Sequence, residues 1–99
     1  MLSMFELDEC RNHIDRASLD LYKLTKELRH DMTTLEGDIE LSRNKGLCFV
    51  ACEMEKKITN LKAMLKDYES LICMCEKAVA HIDDTKMDAQ YMKSALPHS

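Results

Sequence analysis

The sequence predicts an all-α protein: an antiparallel two-helix hairpin, coiled-coil-like in its packing, that forms part of a four-helix bundle with a partner. Three observations carry this expectation. Apolar residues recur at alternating three- and four-residue steps along most of the 99 residues, the spacing that lines up one face of packed helices. Gly 2 and Pro 1 are too few for the turns of a β-sandwich or barrel. One segment alone, Ser42-Arg43-Asn44-Lys45-Gly46, strings turn-prone residues together, and it lies near the middle of the chain. The length allows a single domain spanning residues 1–99.

The first helix is expected over about residues 7–41. Its apolar series runs Leu7, Cys10, Ile14, Ala17, Leu21, Leu24, Leu28, then Met32, Leu35 and Ile39. The two successive four-residue steps around Leu28 read as a stutter, which locally relaxes a supercoil. Ser3 or Asp8 could cap the start. Gly37 sits inside the pattern and is tolerated there at about 1 kcal/mol; as a break it is the alternative to the turn. The turn is placed at 42–46, with Gly46 as the residue after the cap, where a left-handed backbone is common. The second helix follows over about 47–95. Leu47, Ala51, Met54, Ile58, Leu61 and Leu65 begin its ladder, and Tyr68, Ile72, Cys75, Val79 and Ile82 complete it without a break. Pro97 stops any helix before the tail. So short a connection makes the helices antiparallel neighbours, and 35 helical residues give a rod about 50 Å long.

A second apolar row accompanies the ladder of the second helix. Val50, Met64, Leu71 and Ala78 lie seven apart or in multiples of seven, with Lys57 interrupting. Such a row either wraps around the first helix or docks another helical hairpin. Eight Met residues suit both, because Met fills irregular gaps and adaptable interfaces.

Several function classes are disfavoured. A net charge of -4 with aromatic residues at 5% gives neither the electrostatic drive nor the stacking surface for nucleic acid. The longest apolar run, Leu47–Cys52, is far too short to enter a membrane as a span. The start, MLSMFELDEC, lacks the basic and apolar regions of a cleavable signal peptide. Five cysteines cannot all pair within the chain, so they are expected as free, mostly buried thiols in a reducing cytoplasm. Cys10 with His13, and Cys48 with Cys52, have helical spacings that could hold zinc, but the hairpin sets these pairs at opposite ends. Cys73 and Cys75 diverge by about 200° on a helix. No histidine accompanies a nucleophile and an orienting group, so His13, His30, His81 and His98 read as solvated or seam-edge residues. Asp83, Asp84 and Asp88 with Lys86 form either a solvated face or a recognition patch. No catalytic residue, metal or cofactor is expected. The chemistry left to the chain is binding another helix, through Val50, Met64, Leu71 and Ala78, with Asp83 and Asp84 contributing recognition.

At the turn, Asn44-Lys45-Gly46 followed by Cys48, Ala51 and Cys52 resembles the WXG or ESAT-type helical hairpins of type VII secretion. Gly46 matches that family's W-x-G turn, Asn44 stands in place of its Trp, and Cys52 stands where an aromatic residue is usual. Val79 with Asp83, or Ala80 with Asp84, takes the place of the aromatic-x-x-x-acid export motif, without the aromatic. The resemblance implies a divergent member of the kind that accompanies LXG-type toxins. It further implies an adaptor or chaperone that binds the toxin's helical N-terminal domain and targets it for export. The protein would act in the cytoplasm or leave the cell with its partner. A self-associating coiled-coil subunit, a homodimer with no link to secretion, is the alternative.

Overall fold

The computed structural model describes residues 3–95, with side chains to residue 91. Pro97 and His98 lie outside the described residues. Two helices pack against each other as a hairpin, α1 over Met4–Asn44 and α2 over Cys48–Ala95. The rod measures 84 × 16 × 14 Å, the cross-section of two helices side by side.

α1 starts earlier and reaches further toward the turn than the apolar pattern marks, whereas α2 begins at Cys48, one residue later than expected. Ser3 rather than Asp8 caps α1: its hydroxyl accepts from the Glu6 N–H at 3.1 Å, satisfying one of the donors a helix start leaves open. At the other end Asn44 is the last residue of α1 and not part of the loop. Gly46 adopts φ +75°. Its N–H donates to the Arg43 carbonyl at 3.0 Å, and the Leu47 N–H donates to the Ser42 carbonyl at 2.8 Å. These two bonds close the α1 carbonyls in the Schellman arrangement, which needs the left-handed backbone that glycine supplies without strain. The chain reverses within Lys45–Leu47. Gly37 continues the helix.

The seam of α2 follows the sequence pattern from Ala51 onward. Ala51, Ile58, Ile72 and Ile82 are buried, with Met54, Leu61, Leu65, Tyr68, Cys75 and Val79 half-buried between them. Leu47, the first rung of the expected ladder, is half-exposed instead.

The seam of α1 differs from its apolar pattern in the N-terminal half. Inward positions are Leu7, Arg11, Ile14, Ser18, Leu21, Thr25, Leu28, Met32, Leu35, Ile39 and Ser42. Steps of four and three alternate from end to end, so the helix carries no stutter. Cys10, Ala17 and Leu24, expected in the seam, are exposed, and Arg11, Ser18 and Thr25 take their places. The unbroken ladder of α2 requires an unbroken partner, and the turn sets its phase through Ile39 and Ser42. The polar seam residues are accommodated chemically. Thr25, 2% exposed, donates its hydroxyl to the Tyr22 carbonyl at 2.8 Å, and Arg11 is neutralised by carboxylates.

The tightest packing lies near the turn, where Ile39, Ala51 and Ile58 form a cluster flanked by Leu35 and Met54. Ala51, 2% exposed, lets the helices approach closely just after the reversal. A rod of two helices nevertheless covers itself poorly. The chain exposes 7913 Å², against about 5,800 Å² for a compact monomer of this mass.

Candidate functional site: one apolar edge of the hairpin

Labelling the seam positions a and d gives each helix two flanks, e beside a and g beside d. In an antiparallel pair, e positions face e and g positions face g, making two long edges. The two edges of this hairpin have opposite character.

The e edge is bridged by polar bonds. Tyr22 donates its hydroxyl to Glu76 at 2.6 Å. Arg29 pairs with Glu69 at 2.8 Å, and Arg43 pairs with Glu55. Near the open end Arg11 leans from the seam to Asp83 and Asp15, each at 2.8 Å, while Lys86 pairs with Asp8. The hydrogen bond and charge of Arg11 hold the Asp83 carboxyl below the usual carboxylate range, and Glu76 raises the Tyr22 hydroxyl. Because Asp83 is depressed in the folded state, its contribution is complete above its unfolded pKa and disappears as pH falls through the folded value. Acid titration therefore weakens the open end. In a thermal-melt series, wild type loses stability as pH drops below about 4, and Asp83→Asn shows a smaller loss over the same interval.

The g edge has no such bridges among the described residues. Its α2 side holds Val50, Met64 and Leu71, respectively 39%, 43% and 44% exposed, with Ala78 half-buried. Its α1 side holds the residues displaced from the seam, Cys10, Ala17 and Leu24, the last 44% exposed. Antiparallel register sets Leu24 beside Leu71 and Ala17 beside Ala78. Met74, one step further out on α2, is also exposed. Asp31 and Asp38 on α1 and Lys57 on α2 break the strip toward the turn, so its continuous part occupies the half of the rod away from Gly46. Phe5, Leu19 and Met87 are exposed elsewhere, and Leu41, Leu47 and Phe49 are exposed near the turn, where Val50 ends the edge.

The expected site residues thus divide. Val50, Met64, Leu71 and Ala78 fall on one edge. Asp83 lies on the opposite edge, occupied by Arg11, and Asp84 points outward between the two, so the acidic pair does not join the apolar row. Asn44 and Gly46 belong to the turn end. The sequence pattern missed Leu24 and Ala17 as members of the edge.

Nothing in the described residues gathers reactive groups. No set of three or more His, Cys, Asp or Glu residues there could hold a metal ion. The grooves along the rod are open to solvent. The thiols are free, and contrary to expectation Cys10, Cys48, Cys52 and Cys73 are exposed while Cys75 is half-buried. The apolar moment of a thin rod is spent on the seam, which leaves little interior for them. His13, His30 and His81 are exposed. No described helix is long and apolar enough to cross a membrane. Comparison of the chain with protein families, with curated proteins and with solved structures gave no match.

Proposed function

We propose that the protein is a non-enzymatic helical adaptor or chaperone that lays its g edge against a helical partner and completes a four-helix bundle with it. The observation that carries this reading is the asymmetry of the two edges. One is bridged by cross-helix ion pairs, and the other leaves Leu24, Met64 and Leu71 at a half-open apolar strip. The resemblance at Asn44-Lys45-Gly46 supplies the partner class: the long helical N-terminal domain of a type VII secreted toxin, bound in the cytoplasm and targeted for export. Free, exposed thiols suit a reducing compartment.

The test is affinity capture from the native host under reducing conditions, with mass spectrometry of the bound proteins. The expected catch is a larger protein whose N-terminal region is a long helical domain. Recovery of the bait alone, running as a homodimer in light scattering, would instead make the chain a self-associating structural subunit.

A further inference from the structure

The charges of this chain are sorted by edge. On the apolar side of α1, the g positions and the c positions just outside them carry Asp20, Glu27, Asp31 and Asp38, with Glu6 at the helix start. The same positions of α2 carry Asp67 and Asp88, with Glu53 near the turn. Lys57 is the basic residue of the two helices that shares this side within the described side chains. Along the continuous part of the strip, residues 10–31 and 64–88, no Lys or Arg occupies a g or c position; His13 and His81 are the other titratable side chains besides Cys10. Glu53 bonds to Lys56 at 3.1 Å, whereas Asp20, Glu27, Asp31 and Asp67 form no ion pair among the described residues. Positions a, e, b and f hold nearly all the bases, among them Arg11, Arg29, Arg43, Lys62 and Lys86, interleaved with the remaining acids. The mild net charge of -4 is therefore the sum of a strongly acidic side and a balanced one.

We infer that the occupant of the g edge is an amphipathic helix whose apolar stripe is flanked by Lys and Arg, and not a second copy of this chain. This deepens the adaptor reading and rests on it. A second copy using the same edge would meet it through a two-fold axis. That arrangement lays the acidic rim of one copy, with Asp20, Glu27, Asp31 and Asp67, along the same acidic rim of the other, and like charges at an interface suppress association. A basic-flanked helix places its cations over those carboxylates at the rim while Leu24, Met64 and Leu71 take its apolar stripe. The rim charges then steer the encounter and select the partner, and the apolar strip supplies the adhesion.

Two synthetic peptides of identical heptad length test this. Both carry Leu at a and d; one has Lys at e and g, and the other has Glu there. Binding to the full chain is read by fluorescence anisotropy at 50 mM and 500 mM salt, and the chain alone is examined by analytical ultracentrifugation. The inference expects the Lys peptide to bind at least about tenfold more tightly at low salt, with the ratio shrinking at high salt. It expects Leu71→Glu to remove that binding and the chain alone to sediment as a monomer. Equal affinity for both peptides would overturn the charge selection and leave the adaptor edge intact. Binding of neither peptide would overturn the edge itself. Binding that survives Leu71→Glu would mark unspecific attraction of the Lys peptide, and a homodimer at low salt would make the occupant a second copy; either result overturns the inference.

Discussion

Leu28→Ala lowers the unfolding free energy by about 2–4 kcal/mol, while Leu24→Ala changes it by less than about 1 kcal/mol. The two leucines are four residues apart on the same helix, and apolarity alone does not distinguish them. The structure does. Leu28 is buried in the seam, and Leu24 is 44% exposed on the g edge. Truncating Leu28 removes buried methyl groups and opens a cavity between two helices that have no third layer to collapse onto it. Truncating Leu24 removes atoms that water already reaches. Denaturant melts of the two variants decide the register. In a chain of this length the first loss corresponds to a fall in Tm on the order of 10 °C or more. Equal losses at both sites would place Leu24 in the seam and restore a stutter after Leu28.

The register of α1 also marks the limit of what the sequence made legible. The hairpin, the turn at Gly46 and the α2 seam from Ala51 to Ile82 follow from spacing, because the inward residues of α2 recur without a break at three- and four-residue steps. In the N-terminal half of α1 that rule picks the wrong residues. Cys10, Ala17 and Leu24 are more apolar than their neighbours Arg11, Ser18 and Thr25, and both sets repeat every seven residues. Only packing against α2 separates them. Thr25 enters the seam because its hydroxyl finds the Tyr22 carbonyl, and Arg11 enters because Asp83 and Asp15 meet its guanidinium. The Val50, Met64, Leu71 and Ala78 row was legible as an accompanying stripe. Its α1 half was hidden by the same substitution, since residues assigned to the core cannot be counted on an edge. The acidic flank was hidden for a related reason: net charge averages over the helix, and the sorting of carboxylates onto one side appears only once the heptad phase is known. Asp83 and Asp84 form a local cluster in the sequence, yet the ion pair with Arg11 ties Asp83 into the opposite edge.

Leu71→Glu weakens partner binding by at least about 30-fold, equivalent to about 2 kcal/mol, and leaves helix content and monomer stability nearly unchanged. The residue stands at the middle of the continuous apolar strip, beside Leu24 and between Met64 and Ala78. In the free chain its side chain is already 44% exposed, so a carboxylate there keeps its water and disturbs little. In the complex the same carboxylate would be pressed into an apolar contact without a counter-charge of its own, among carboxylates at Glu27, Asp31 and Asp67 that already repel it. Arg29→Gln on the opposite edge gives the converse pattern. It breaks the exposed pair with Glu69, costs the monomer at most about 1 kcal/mol, and leaves partner affinity unchanged. Circular dichroism and a binding titration on the two variants therefore separate the edges. Loss of helicity in Leu71→Glu would assign that side chain to the hairpin's own core, and loss of affinity in Arg29→Gln would move the docking surface to the e edge.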